Sequence, residues 1–320
     1  MKVSVALCTY NGAPYIEKQL ESILNQTRLP DEIVLSDDGS GDDTVLRARK
    51  LLSAGEIPFR ILENPVSLGV AENFRNAVSY CCGDYIFTCD QDDLWFPDKV
   101  EAFLNAFEKT GAALLFSDGI LIDGEGNDLK SRLWEVYRID PESIEKKGIF
   151  EEILRRPIVT GAAMAFSRSL AQRWDRVPAP FLHDEWLSVL AAAADEACFL
   201  SRPTFFYRQH RNNVVGAGKR SFFGRLKNWL GDAAGLKEFH AKRFLRAKEI
   251  LAAAEKSGYE EKAAACVSFW KTVTELDEQK GLRSVFRALR LYRLGGYGSF
   301  YAGLHSFLRH GAVLLFGKNR

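Results

Sequence analysis

The chain contains no uninterrupted apolar run of about eighteen residues, the usual length of a membrane-spanning helix. No secretory signal is expected from the first residues. Met1-Lys2 leads straight into Val3-Ser4-Val5-Ala6-Leu7-Cys8, which is too short and too soon followed by polar residues to be a signal core, so cytoplasmic residence is the expectation. No C-x-x-C spacing occurs among Cys8, Cys81, Cys82, Cys89, Cys198 and Cys266, which argues against a zinc ribbon or a redox dithiol. These cysteines read as small hydrophobes in a reducing compartment. G-x-G-x-x-G is absent after the first strand-like segment and G-x-x-x-x-G-K-[ST] is absent throughout, which disfavours hydride transfer and P-loop hydrolysis. The net charge of +1 gives no global pull toward nucleic acid. Acidic residues are also lacking locally: none follows Glu278, whereas Lys280, Arg283, Arg287, Arg290, Arg293, Arg309, Lys318 and Arg320 do.

With 320 residues, 47% of them hydrophobic, the chain can bury a substantial core. Its first half alternates strand-like pieces (3–8, 32–36, 59–62, 84–89) with helix-like ones (14–25, 42–52, 70–80, 97–109). That spacing predicts βαβ units: an α/β fold with a mostly parallel sheet flanked by helices. A strand over 112–117, a Gly- and Asp-rich hairpin around 122–126, a helix over 149–154, a strand over 162–166, a helix over 187–194 and a strand over 204–207 complete the first domain. Strand signals stop near Gly216, predicting a catalytic domain over 1–215 and a helical, basic extension over 216–320.

Ligands of open parallel sheets bind beyond the carboxyl ends of the strands. Here those ends are polar: Thr9-Tyr10-Asn11-Gly12, then Asp37-Asp38-Gly39-Ser40, then Glu63-Asn64, then Asp90-Gln91-Asp92-Asp93. Clustered carboxylates repel one another unless a cation neutralises them, and Mg2+ or Mn2+ shared with substrate phosphates is the natural partner. The alternative is a solvated acidic turn in which Asp92 or Asp93 caps the next helix. A second cluster, His183-Asp184-Glu185-Trp186, opens another helix-like segment, where Asp184 and Glu185 would equally serve as cap and first-turn acid.

The order of these motifs resembles the family 2 inverting glycosyltransferases, which have the GT-A fold. The resemblance rests on Val5-Ala6-Leu7-Cys8-Thr9-Tyr10-Asn11, on Ile33-Val34-Leu35-Ser36-Asp37-Asp38-Gly39-Ser40, and on Gly83-Asp84-Tyr85-Ile86 running into the D-x-D motif Asp90-Gln91-Asp92. It extends over 3–215. It implies that Thr9, Tyr10 and Asn11 line a nucleotide pocket, that Asp38 bonds the pyrimidine, that Asp90 lies near ribose and metal, and that Asp92 ligates the metal. Asp184 takes the place of the family's catalytic Asp, with His183 standing where Glu is usual. Gly161 matches the small-residue turn beside the sugar pocket, Trp186 an acceptor platform, Glu185 a neighbour of that pocket, and His210 a metal or diphosphate contact.

H-D-x-W and the later Tyr207-Arg208-Gln209-His210-Arg211-Asn212-Asn213 resemble the rhamnosyltransferase-like branch. The implied reaction moves a sugar, with dTDP-rhamnose favoured over a UDP-sugar, to a glycan or lipid-linked glycan acceptor, using Mg2+ or Mn2+. One base takes the acceptor proton and no carboxylate nucleophile is needed. Two other readings stand beside this one. A sugar-nucleotide nucleotidyltransferase would want a basic phosphate loop after the first strand, and residues 9–13 contain no Lys or Arg. A non-catalytic binding protein would not bring the acids to one cleft. Basic and apolar residues mix at helical spacing over 221–230 and 285–293, which suits peripheral contact with the inner face of the plasma membrane.

Overall fold

A computed structural model describes residues 1–210, 233–279 and 281–316. The described chain divides into two compact units. The first holds Met1–Glu142, Ile158–Val177 and the described residues from Leu182 to His210; the second holds Ser143–Pro157, Pro178–Phe181 and the described residues from 233 on.

The first unit is built on a nine-stranded sheet in the order β3-β2-β1-β4-β8-β6-β9-β5, with β7 paired to β6. Its strands are β1 (Val3–Thr9), β2 (Glu32–Asp37), β3 (Phe59–Glu63), β4 (Tyr85–Asp90), β5 (Leu94–Trp95), β6 (Leu114–Ile122), β7 (Asp128–Arg132), β8 (Met164–Ser167) and β9 (Ala197–Arg208). β1 to β4 are mutually parallel, β8 runs antiparallel between β4 and β6, and β9 returns parallel to β6. Every residue of β1 is buried, as expected for a parallel strand covered on both faces. In chain order the helices up to residue 193 are α1 (Ile16–Leu24), α2 (Thr44–Ser53), α3 (Val70–Tyr80), α4 (Lys99–Thr110), α5 (Leu133–Tyr137), α6 (Pro141–Lys147), α7 (Ile149–Arg155), α8 (Arg168–Gln172) and α9 (His183–Ala193), of which α7 and most of α6 belong to the second unit.

Register fixes where the polar strand ends meet. Cys8 pairs with Asp90 and Thr9 with Asp37, so β1, β2 and β4 finish at one level. β1 lies where the strand order reverses, and the crevice between its end and that of β4 is the switch point of the sheet.

The second unit is helical: α10 (Ala233–Ala253), α11 (Glu260–Glu278), α12 (Leu282–Arg293), α13 (Gly296–Phe300) and α14 (Leu304–Phe316), joined by α7. Arg243 of α10 secures α7 by donating to the carbonyls of Leu154 and Arg155 at 2.7 and 2.6 Å, and Phe150 stacks on Tyr259 at 4.4 Å. The segments 143–157 and 178–181 thus belong with the helices, although sequence alone grouped them with the sheet. The expected boundary at 216 and the basic segment 221–230 lie outside the described residues. No helix among the described residues is long and apolar enough to cross a membrane.

Candidate active site

At the end of β1 the side chain of buried Thr9 donates to Asp37 Oδ1 at 2.6 Å, and Asp37 Oδ2 accepts from the N–H groups of Gly39 and Ser40. Tyr10 is exposed; its N–H donates to Gln91 Oε1 at 2.8 Å and its carbonyl accepts from Gln91 Nε2 at 3.0 Å. The middle residue of the D-x-D motif therefore clamps the β1 loop beside the acids. Asn11 sits at φ 49°, in the left-handed region that Asn tolerates, and its Oδ1 accepts from Gly41 N–H at 2.9 Å.

Asp38 is turned toward its own chain. Its oxygens accept from Ser67 Oγ at 2.6 Å, Leu68 N–H at 2.7 Å, Gly69 N–H at 2.9 Å and Asn64 Nδ2 at 3.3 Å. Burial works to raise this carboxyl, and the four bonds outweigh it and hold it below the ordinary value. A nucleobase contact at Asp38 would have to share lone pairs that now order the loop before α3.

The acidic cluster at the end of β4 is not a helix cap. The two-residue β5 follows it, and α4 begins only at Lys99, behind Asp98. Asp92 Oδ2 lies 2.6 Å from His210 Nε2, and the His210 ring stacks on Tyr15 at 4.9 Å. Asp90 is pushed up to about 7 by burial, then by the charges of Asp92 and Asp184. Asp93 is 1% exposed and is pushed upward by burial, Asp92 and Asp90; its Oδ1 accepts from Arg208 N–H, and its Oδ2 has no hydrogen-bond partner among the described residues. Asp90 and Asp92 come from the end of β4 and Asp184 from α9, so acids distant in sequence act on one another across a common site.

A short turn links β4 to Asp184. Thr88 Oγ1 donates to the Gly161 carbonyl at 2.6 Å, and Gly161 N–H donates to Asp184 Oδ2 at 2.8 Å. The other oxygen of Asp184 accepts from Glu185 N–H at 2.8 Å. Glycine is required at 161 by close approach: a Cβ there would lie 2.8 Å from His183 Nε2. Glu185 accepts from Leu182 N–H at 3.0 Å, which secures the start of α9. Trp186 is 5% exposed, so its ring packs within the unit and is not displayed to solvent. His183 is also buried, stacked on Phe74 at 4.0 Å and Trp174 at 6.4 Å.

Some residues of the site were given no role from the sequence. Lys99 is fully buried, donates to the Ala162 carbonyl at 2.7 Å and lies over Trp95 and Phe205; burial pulls it down to about 8 against Cys89, Asp93 and Asp90. It pins the far side of the Gly161 turn. Arg208, part of the quoted Tyr207-Arg208 motif, donates from Nε to the Asp92 carbonyl at 2.7 Å and from Nη1 to the carbonyls of Asp123 and Gly124. It thereby fixes the backbone beneath Asp92. Tyr137 lies near Asp184; burial and then that charge push its phenol upward. Residues 211–217, which continue the His210 motif, lie outside the described residues.

Residues 4–174, more than half of the chain, match the family model Glycosyl transferase family 2. The chain belongs to this glycosyltransferase family. It is 36% identical over 137 residues to chondroitin synthase of Escherichia coli, covering 42% of this chain and 20% of that protein. It is 28% identical over 221 residues to the dTDP-rhamnosyl transferase RfbG of Shigella flexneri, covering 66% of this chain and 74% of that protein. The family 2 chain thus spans only a fifth of the first relative and about three quarters of the second. Among solved structures it resembles S. aureus TarS 1-349 in complex with UDP, with a TM-score of 0.57 at 16% identity over 85% of this chain and 71% of that one. At that identity the likeness is one of fold, the GT-A arrangement of mixed sheet and flanking helices.

Proposed function

We propose that this family 2 chain is an inverting, metal-dependent glycosyltransferase that carries a sugar from a nucleotide donor to a hydroxyl of a cell-surface polysaccharide or lipid-linked glycan precursor. One observation carries the reading: Asp184, held by Gly161 N–H, shares its electrostatic environment with Asp90, the first acid of the D-x-D motif. This supports reading Asp184 as a base beside a diphosphate site. The acceptor oxygen bonds to the anomeric carbon as the bond from that carbon to the diphosphate breaks, and the acceptor proton passes to the Asp184 carboxylate.

The donor chemistry suits a divalent cation: Asp92 and Asp184 both raise Asp90, and the buried Lys99, the nearby ammonium, is on the Ala162 carbonyl. Asp92, with His210 at 2.6 Å, would hold Mg2+ or Mn2+. When bound, the ion supplies charge stabilisation for the departing diphosphate. Thr9, Tyr10 and Asn11 at the end of β1 would border the nucleotide, with Asp38 ordering the adjoining loop. The likeness to RfbG, a dTDP-rhamnosyl transferase by name, favours dTDP-rhamnose as donor.

Melting temperatures in a panel of dTDP-rhamnose, UDP-glucose and UDP-N-acetylglucosamine, with and without Mn2+, test this proposal. The largest rise is expected with dTDP-rhamnose plus metal. His210→Gln should weaken the metal response by about 10–100-fold, the usual loss when a ligand's hydrogen-bonding partner is removed. A rise with a different sugar would overturn the donor. No rise with any donor would overturn the transferase reading in favour of a protein without nucleotide-sugar chemistry.

The acceptor is assigned to a membrane surface because α12 exposes Leu282 (68%) and Phe286 (69%) beside Arg283, Arg287, Arg290 and Arg293. Co-sedimentation with vesicles rich in anionic phospholipid should be strong at low salt and lost for Arg287→Glu/Arg290→Glu. Equal sedimentation of that variant would remove the membrane from the proposal.

A further inference from the structure

Three side chains from three helices meet in the interior of the helical unit. His240 of α10 and His310 of α14 are 0% exposed and Asp277 of α11 is 4% exposed. Nδ1 of His240 lies 2.8 Å from Asp277 Oδ2, and Nε2 of His310 lies 3.0 Å from Asp277 Oδ1. The imidazole rings are 4.8 Å apart, and one ligand atom from each residue falls within 4.8 Å of the others. The surroundings are aromatic: Trp270 and Tyr301 pack on His240, and the Tyr297 hydroxyl is 2.6 Å from Nδ1 of His310.

Asp277 faces Nδ1 of His240 and Nε2 of His310, and Tyr297 meets the outer nitrogen of His310. A carboxylate and two imidazoles are costly to bury in an interior whose adjoining core is Leu276, Ala288 and Leu314. Removing them for apolar residues would ordinarily be neutral or favourable, so their joint presence asks for a further partner. Two imidazole nitrogens flanking a carboxylate are the donor set of a divalent transition metal, whereas Mg2+ and Ca2+ prefer oxygen alone. The carboxylate presents one oxygen to each ring, and one ligand atom from each of the three residues falls within 4.8 Å of the others, a separation that a single ion can draw together. Tyr297 then stands where the outer nitrogen of a ligating histidine usually finds its hydrogen bond.

We propose that His240, Asp277 and His310 form a buried site for a divalent transition metal, zinc by donor chemistry, that ties α10, α11 and α14 together. The site is separate from the acids at the end of β4 and holds or fails independently of the transferase reading.

The test uses the full chain, stripped with chelator and re-equilibrated with Zn2+ in excess Mg2+, followed by gel filtration and elemental analysis. Retention of a single zinc equivalent is expected, with a raised melting temperature. Asp92→Asn should retain that equivalent, and His310→Gln should bind zinc at least about a hundredfold more weakly, since loss of an outer-shell partner alone costs 10–100-fold. If His310→Gln fails to fold, the wild-type chain still decides: Co2+ should give visible d–d absorption that Mg2+ leaves unchanged and Zn2+ abolishes. No zinc uptake by the wild type, or uptake lost in Asp92→Asn and kept in His310→Gln, would overturn the site and leave a proton-sharing Tyr-His-Asp-His network in its place.

Discussion

Asp184→Asn should lower the rate of sugar transfer by about 10²–10⁴-fold, the range by which a positioned general base contributes, while donor affinity and melting temperature stay close to those of the parent. The substitution is conservative in shape. An amide oxygen can still accept from Gly161 N–H or Glu185 N–H, the two bonds that now orient the carboxylate at 2.8 Å each. What the amide cannot do is take a proton. A residue that merely secured the turn between Thr88 and α9 would show the reverse pattern, with a lower melting temperature and a rate reduced only in proportion to the folded fraction. Steady-state transfer with a saturating donor, combined with thermal melts of both proteins, separates the two. An unchanged kcat would remove Asp184 from the chemistry and with it the inverting mechanism.

Much of the fold was readable because parallel strands buried on both faces are written as continuous apolar runs. β1, β2 and β4 lie within a residue of their expected bounds for that reason, and β3, only partly buried at the sheet edge, does so on its short Phe-Arg-Ile-Leu run. The strands given no bounds lack that signature, although the hairpin around 122–126 is the turn that joins β6 to β7. β5 is two residues long, and β7 is Asp-Leu-Lys-Ser-Arg, polar and mostly exposed. β9 extends seven residues before the expected start at 204, through a stretch whose pairing with β6 is irregular and whose side chains are only partly buried. α9 begins at His183, where the polar cluster opens it and Glu185 accepts from Leu182 N–H, and not at 187, where its apolar periodicity alone would start it.

The site divides along the same line. The acids announce themselves by local clustering after a strand. The bonds that position them join residues with no shared pattern: Gly161 to Asp184, Lys99 to Ala162, Arg208 to Asp92. The basic tail was legible as composition, whereas His240, Asp277 and His310 are separated by 37 and 33 residues and follow no ligand spacing. Tertiary packing alone brings them together.

His183 should make the protein acid-sensitive in a way that one substitution removes. The ring is 4% exposed, stacked between Phe74 and Trp174, and neither nitrogen has a hydrogen-bond partner among the described residues. Burial pulls it down to about 3, with Glu185 opposing weakly. In the unfolded chain it titrates near 6.5. A histidine lowered in the folded state contributes stability that is fully present above the unfolded value and is lost as pH falls from there toward the folded one, because the unfolded chain takes up the proton first. Each pH unit below about 6.5 therefore removes roughly 1.4 kcal/mol, reaching about 5 kcal/mol near pH 3. That is comparable to the whole stability of many domains. His183→Gln keeps a planar polar group of similar length but cannot titrate in this range. Urea unfolding at pH 7 and pH 4 should show the parent losing about 3 kcal/mol more than the variant over that interval. Carboxylates titrating over the same range are common to both chains and cancel in the difference. Parallel losses in the two proteins would mean that the ring is protonated in the folded state, and that the stack on Phe74 accommodates a charge.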